Sequence, residues 1–206
     1  MNSTTITTAR DRSREDSRQR LLEAAAEVFA KQGFTKTKAT DIASRAGVAV
    51  GTLYLHFGDK EGIARAVAED AVTELRARLR SAVERKHTTV EEAAHAHATA
   101  LVDFVASPST RGRLLFANDA PGLRGDLLDA MAAAQEAHIR ERRRDGYFRA
   151  DIDATVAAQA LVGMQSRVLT WWLENPRRAS RKSVIDTLAK LRLSGIHARQ
   201  PEEFKR

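Results

Sequence analysis

The stretch Ile42-Ala43-Ser44-Arg45-Ala46-Gly47-Val48, continued by Val50-Gly51-Thr52-Leu53-Tyr54, decides the fold. Ala43 is small enough to let two helices approach closely. Gly47, four residues on, supplies the positive φ of a sharp turn. Val48 opens the next element, and Leu53, six residues past Gly47, plugs back against Ile42. A small residue, a glycine and a buried aliphatic at this spacing describe a helix-turn-helix. The second helix of that motif lies in a DNA major groove and presents its N-terminal residues to base edges.

Working outward, a helix precedes the motif. Leu21, Leu22, Ala25, Val28 and Phe29 recur on one face of a 3.6-residue period, from Ser13 to Gln32. Ser13 is the candidate N-cap, Gly33 the left-handed stop, and Phe34 can fold back on the last turn. Asp59 caps a long helix over roughly 60–85 that carries Ile63, Val67, Ala71, Leu75 and Leu79. Thr88 or Thr89 opens another helix to about 106, stopped by Ser107-Pro108. A short helix at 109–118, a turn at Pro121-Gly122, and helices over 123–145, 151–175 and 180–195 complete the chain. No segment alternates with period two. The expectation is an all-α chain of about nine helices. It divides into a mobile arm (1–13), a helix-turn-helix domain (14–60), an effector-binding and dimerisation domain (61–200) and a tail (201–206).

Composition narrows the chemistry. The 206 residues hold no cysteine, which excludes disulfides, thiolate zinc sites and thiol redox sensing. No apolar run is long enough to span a membrane, and the opening MNSTTITTAR lacks the apolar core of a secretory leader, so a cytoplasmic location is expected. The net charge of +7 points to an acidic partner, but it is unevenly placed. Residues 1–62 carry ten basic and eight acidic side chains, 63–175 carry fifteen and sixteen, and 176–206 carry nine and three. The surplus begins at Arg177-Arg178 and is expected to clothe the outer surface rather than the DNA reader.

The residues around the motif resemble the TetR family of transcriptional repressors. The match runs through Leu22-Glu23-Ala24-Ala25, Phe29, Gly33-Phe34, Ile42-Ala43, Ala46-Gly47-Val48, Gly51-Thr52-Leu53-Tyr54, His56-Phe57 and Asp59-Lys60-Glu61, without gaps. The rest of the chain shares only length and helical character. The resemblance implies that the Gly51–His56 stretch is the recognition helix. Gly51 belongs to that helix, and Thr52, Tyr54 and His56 reach phosphates or base edges. It further implies that Lys60 contacts phosphate, aided by the helix N-terminus, and that Thr40 reaches a base or phosphate. For Tyr54 and His56 the competing reading is partial burial against the bundle. Lys38 stands where the family usually has Thr or Ser; it cannot cap but can touch phosphate, leaving Thr37 as the possible cap. Ala49 removes a side-chain cap ahead of the recognition helix. Val50 and Leu55 are expected to be exposed although apolar, with Val50 suited to thymine methyl groups in the major groove. The arginines at 10, 12, 14, 18 and 20 fit either a minor-groove arm or a salt-bridged solvated face, since Asp11, Glu15 and Asp16 interleave with them.

In the C-terminal part, Ala157, Leu161, Met164, Val168 and Trp171 form one apolar seam, and Ala158, Val162, Leu169 and Trp172 a second. A helix apolar over that width buries two faces. Val184, Ile185, Leu188 and Leu191 form a matching stripe on the last helix. The resemblance implies a homodimer that pairs these two helices with those of a partner. Ala158, Val162, Leu169, Trp172, Val184, Leu188 and Leu191 are then the interface. Dimerisation would set two recognition helices about 34–36 Å apart, one per successive major groove of a palindromic operator. The resemblance also implies a ligand cavity, with Phe104, Phe116, Asn118, Met131, His138, Met164, Gln165 and Trp171 as candidate lining. A small molecule there would favour a dimer released from DNA, with the fourth helix as lever. A regulator answering to a protein partner, or constitutive, is the alternative.

No phosphate-binding, dinucleotide, nucleophile-elbow or HExxH motif is present, and His95 and His97, two apart on a helix, point to different faces. No enzymatic activity, cofactor or metal is expected.

Overall fold

The computed structural model describes residues 9–84, 89–107, 121–144 and 146–196. Among them lie eight α-helices and no strand. In order they are α1 (Ala9–Lys36), α2 (Ala39–Ala46), α3 (Val50–Phe57), α4 (Lys60–Glu84), α5 (Val90–Ala106), α6 (Pro121–Arg143), α7 (Ala154–Glu174) and α8 (Arg181–Ile196). The helix expected over 109–118 and the tail at 201–206 fall outside the described residues. Two compact units divide the chain, the first made of residues 1–71 and 109–123 and the second of residues 72–108 and 124–206. The first therefore runs past the expected boundary at residue 60, because Ile63, Ala64, Val67, Ala68 and Ala71 of α4 are all buried. No described helix is long and apolar enough to cross a membrane.

In the first unit α1 begins at Ala9, ahead of Ser13. Ser13 is thus inside the helix and is not its cap; its carbonyl accepts a hydrogen bond from the Ser17 hydroxyl at 2.9 Å. Residues 9–13, expected in the arm, are helical, which suits an alanine- and arginine-bearing segment. Arg18 pairs with Glu15 (3.6 Å) and Arg20 with Asp16 (3.2 Å) along this helix. The interleaved charges thus form a salt-bridged face, each exposed pair contributing little to stability. The α1 helix breaks at Gly33 (φ 80, ψ 165), and Phe34 turns back until its ring lies 5.7 Å from that of Phe29.

The joint between α1 and α2 corrects the expected cap. Thr37 is buried, and its hydroxyl donates to the Gly33 carbonyl at 2.7 Å, closing α1. Lys38 occupies the cap position of α2, and the Asp41 carboxylate accepts from the Lys38 backbone N–H at 3.0 Å. That carboxylate in the first turn also suits the helix dipole. Gly47 sits in the left-handed region (φ 66, ψ 38), with the Val48 N–H donating to the Ala43 carbonyl at 3.1 Å. Ala49 caps α3 through its carbonyl alone, which accepts from the Thr52 N–H at 2.9 Å. Leu21, Leu22, Ala25, Phe29, Ile42, Ala43 and Leu53 are buried as the periodicity predicts. Burying each of the leucines and isoleucines fully is worth about 1.5–3 kcal/mol.

In the second unit α5 packs along α8, and α7 lies against both. Arg181 at the start of α8 ion-pairs with Asp103 of α5, its Nε 2.8 Å from the carboxylate. His95 Nε2 stands 3.1 Å from Asp186 on the same two helices. Thr89 and Glu92 form a reciprocal capping box on α5 (3.1 and 3.3 Å). Asp153 caps α7, its side chain accepting from the Val156 N–H at 2.9 Å, while Asp151 pairs with Arg149 instead. The α6 helix, whose first three residues belong to the first unit, opens on Pro121, so Pro121-Gly122 starts a helix rather than forming a turn before one.

The expected dimer residues need correction. Ala158, Val162, Leu169, Trp172, Val184 and Leu188 are buried within the chain's own core, and Leu191 alone of that set is exposed, at 48%. Both apolar seams of α7 contribute to the core, since Ala157 and Leu161 are buried beside Ala158 and Val162. What faces outward on α7 is Val156, exposed at 67%, in line with the small residues Ala160 and Gly163 and with Arg167.

Candidate nucleic-acid interface and ligand cavity

The α3 helix divides its eight residues by rotation. Leu53 is buried, anchoring the helix to α1 and α2. Val50, Gly51, Tyr54 and Leu55 form the outward stripe, with Tyr54 exposed at 51% and Leu55 at 69%. Thr52 and His56 lie half-buried on its flank. The His56 ring stands 6.0 Å from that of Phe57, over which the Arg18 guanidinium lies at 5.7 Å. Burial first, then Arg14 and Arg18, hold the His56 pKa below 6.5, so its ring is a neutral donor and acceptor at physiological pH.

Lys38 and Thr40 are exposed at the start of α2. Lys60 is half-buried; its Nζ donates to the Phe34 carbonyl at 3.2 Å and sits 4.3 Å from the centre of the Phe34 ring. It therefore clamps the end of α1 to the start of α4, with two further N–H donors for an anion. Several carboxylates of this unit are turned into the protein's own network. Asp41 serves Lys38 and Gln32, Glu27 holds Arg45 at 2.6 Å, and Asp59 accepts from the Gly62 N–H at 2.6 Å. The α3 helix itself carries no acidic residue. Its exposed stripe thus offers apolar surface, a phenol and open backbone, flanked by cations. Such a surface can read base edges and thymine methyls while the flanks meet phosphate.

Gly62 supports this arrangement in a way the sequence did not signal. A β-carbon there would stand 2.0 Å from the Phe57 carbonyl oxygen, so the corner between α3 and α4 closes only on a glycine.

The second unit carries a cavity of about 710 Å³ that is partly open to solvent. Its apolar wall comes from Val72, Leu75 and Leu79 of α4, Leu101 of α5, Met131 of α6 and Val162 of α7. Polar groups enter from the same helices: Arg76 and Arg80, His97, Gln135, His138 and Arg142, and Gln165. Arg76 also donates to the Ala130 carbonyl at 2.8 Å, tying α4 to α6. The Gln135 amide nitrogen is buried with no hydrogen-bond partner among the described residues. Burial first, then Arg192 and Arg142, hold the His138 pKa below 6.5.

Of the candidate lining residues, Met131, His138 and Gln165 stand at this cavity. Phe104 does not: it is fully buried in the core, beneath the Arg78 guanidinium at 5.3 Å. Met164 packs on the core cluster of Ile139, Phe148 and Leu161 instead, and Trp171 is half-buried away from the cavity near the end of α7. The rotation of α7 explains both, since Val162 and Gln165 share one face and Met164 and Trp171 another. Phe116 and Asn118 lie outside the described residues. Sequence reasoning missed Gln135, Arg142 and Arg76. A signal existed for the first two: Met131, Gln135, His138 and Arg142 follow one another at four, three and four residues, a polar stripe along one face of α6. Among the described residues no cluster of histidine and carboxylate side chains could hold a metal ion.

Residues 21–67 match the family model of bacterial regulatory proteins, tetR family. Along most of its length the chain is similar to the HTH-type transcriptional activator FasR of Mycolicibacterium smegmatis, with 30% identity over 186 residues, covering 89% of this chain and 84% of FasR. The chain belongs to the TetR family. Members of the TetR family are transcriptional regulators rather than enzymes, and this TetR protein is a transcriptional regulator. Its fold resembles that of the fatty acid degradation regulator FadR from Bacillus halodurans, with a TM-score of 0.72, 23% identity and coverage of 86% of this chain and 95% of that one. The transcriptional regulator FadR from Bacillus subtilis, solved in complex with stearoyl-CoA, is similar in the same way. Its TM-score is 0.69 at 23% identity, covering 87% of this chain and 99% of that one.

Proposed function

We propose that this TetR-family protein binds a palindromic operator as a homodimer, reading the major groove with α3. A small molecule with a long apolar body then releases it from DNA by entering the second unit. The observation that carries this reading is the cavity of about 710 Å³, within the range of about 300–1,000 Å³ usual for ligand sites. Apolar walls with a few polar groups suit an amphipathic guest, and the buried Gln135 amide is a donor awaiting an acceptor. Similarity to the fatty acid degradation regulator FadR of Bacillus halodurans and to the FadR of Bacillus subtilis in complex with stearoyl-CoA favours an acyl compound as the guest.

Coupling is supported by α4. Val72, Leu75, Arg76 and Leu79 on its second half touch the cavity, and Lys60 and Gly62 on its first turn meet the ends of α1 and α3. A guest that favours one position of α4 therefore favours one setting of the reading helix, and shifts the population by its differential affinity. For the partner surface, the outward face of α7 and α8 supports pairing through Val156, Ala160, Gly163 and Leu191. Small residues there permit close helix approach. The cytoplasm is where such a regulator would act.

The test is selection of bound fragments from the source organism's genomic DNA, followed by titration of the recovered operator with acyl-CoAs of increasing chain length. Operator release at micromolar acyl-CoA is expected. Specific DNA binding that no acyl compound alters would remove the effector half and leave the DNA-binding half intact.

A further inference from the structure

The cavity of the second unit has a charged opening. Of its lining residues, Arg76 and Arg80 of α4 and Glu141 of α6 are exposed, so they border the side that meets solvent. The buried part of the wall holds Val72, Leu75, Leu101 and Val162, with His97 and Gln165 as its polar members. Among the described residues no arginine or lysine lines that buried part. An anionic group carried by a guest thus finds no fixed cation at depth, where an unpaired charge is costly, and finds cations at the opening.

Arg76 and Arg80 lie one helical turn apart and share a face of α4, where like charges repel. Arg78, between them in sequence, is engaged elsewhere: it holds Glu74 at 2.5 Å and lies over the Phe104 ring. Among the described residues no carboxylate pairs with Arg76 or Arg80. Arg76 donates to the Ala130 carbonyl at 2.8 Å, which fixes its guanidinium beside α6 and leaves its remaining N–H groups for an anion. The third arginine of the lining, Arg142, is half-buried and stacked over Tyr147 at 5.2 Å, next in sequence to Glu141. Glu141 is the one acid among the lining residues described. The positive charge left over is therefore concentrated on α4.

We propose that Arg76 and Arg80 form a phosphate-binding subsite at the mouth of the cavity, so that the regulator answers to an acyl chain on a phosphorylated carrier in preference to the same chain on an uncharged one. Guanidinium forks match phosphate oxygens, and an anion that bridges the pair relieves their mutual repulsion. The apolar chain lies along the buried wall while the phosphates stay within reach of water, so neither is desolvated against its chemistry. Both cations stand on α4, and so do Val72 and Leu75 of the buried wall, so head and chain of the guest bear on one helix. This rests on the reading that the cavity holds the effector.

The experiment uses the full chain on its operator and three probes that share one chain and one thioester: lauroyl-pantetheine, lauroyl-phosphopantetheine and lauroyl-CoA. Operator release and thermal melting are read for the wild type, Arg80→Gln, Arg80→Glu, Arg76→Gln and Arg76→Lys. For the wild type, lauroyl-CoA should act at a concentration lower than lauroyl-pantetheine by about tenfold or more, and added salt should shrink that advantage. The phosphopantetheine arm shows whether the phosphate nearest the thioester suffices or the nucleotide's phosphates are needed. In Arg80→Gln the advantage should fall severalfold and in Arg80→Glu it should vanish. The response to lauroyl-pantetheine and the ligand-free melting temperature should stay as in the wild type, since Arg80 is exposed. Arg76→Gln should lower the advantage likewise, and Arg76→Lys, which keeps the charge, should retain most of it. Equal action of all three probes on the wild type overturns the proposal without recourse to any variant and leaves the effector reading standing. A phosphate advantage that Arg80→Glu leaves intact does the same. No response of the wild type to any of the three probes overturns both readings.

Discussion

Gly62 and the carbonyl of Phe57 meet so closely that a β-carbon on the glycine would lie 2.0 Å from the oxygen. The contact joins the last residue of the reading helix to the first turn of α4. The same turn holds the Asp59 carboxylate, which accepts from the Gly62 N–H at 2.6 Å. In an ordinary helix, alanine for glycine stabilises by about 1 kcal/mol. Here the sign should reverse. Gly62→Ala is expected to destabilise by about 1–3 kcal/mol, since backbone rather than a flexible side chain must yield. A urea unfolding midpoint at or above that of the wild type would contradict this.

Tyr54 and Leu55 serve no core. Tyr54→Ala and Leu55→Ala should each leave stability within about 0.5 kcal/mol of the wild type. Tyr54→Ala should nonetheless weaken operator binding by about 1–3 kcal/mol if the phenol meets a base edge. Paired measurements of melting and operator affinity separate the two effects. Loss of both together would mean that the exposed stripe is structural after all.

Lys60 is tied to Phe34 by a hydrogen bond and a ring contact, so its removal has two consequences. Lys60→Met retains the aliphatic stem and loses the charge. The slope of log affinity against log salt should fall by about one if the amine also meets phosphate. The melting temperature should drop by a few degrees as the clamp on α1 loosens. An unchanged slope with a lowered melting temperature would assign Lys60 to the clamp alone.

How far the sequence reached can be judged from individual residues. Gly47, Ile42, Ala43 and Leu53 were legible because a turn glycine and its flanking aliphatics obey local geometry. Asp59 was legible as a cap for the same reason, and the cap of α5 was narrowed to Thr88 or Thr89, of which the fold uses Thr89. Thr37 was not, because its hydroxyl bonds backward to Gly33 and its side chain is buried, neither of which spacing reveals. The face of α7 that turns outward was also hidden. With Ala157, Ala158, Leu161 and Val162 all apolar, only the position of α5 and α8 decides which seams are used internally. At the cavity, chain order brings Met131, Gln135, His138 and Arg142 onto one stripe. That Arg76 and Gln165 face it from other helices is a tertiary fact.

The outward face of α7 and α8 yields its own test. Val156→Glu and Leu191→Glu alter exposed positions, so each chain should stay folded but sediment as a monomer and bind the operator weakly. Leu188→Glu, at a buried position of the same helix as Leu191, should unfold the second unit instead. A dimer that survives the double change Val156→Glu with Leu191→Glu would place the partner surface elsewhere.

His138 sets an acid limit. Burial, Arg192 and Arg142 all disfavour its protonated form, so its folded pKa lies below the usual 6.5. The unfolded chain takes up that proton more readily, so the contribution to stability is intact above about pH 7 and is lost as the pH falls through 6.5 toward the lowered folded value. His138→Gln should flatten this acid-side decline in urea midpoints. Parallel pH profiles for the variant and the wild type would argue against it.

The pairing of α5 with α8, fastened by Asp103 with Arg181 and by His95 with Asp186, bears on the order of events during synthesis. The contacts of α1, α2 and α3 lie within the opening stretch of chain and can close while translation continues. The second unit must wait for its last helix, so α5 leaves the ribosome well before the strip of surface that will cover it. A message cut short before residue 181 would release a DNA reader already assembled and a sensing half that never can be. Premature termination would thus remove the sensing half together with the α8 part of the proposed pairing face, leaving a folded reader without the partner on which its hold on the operator is proposed to depend.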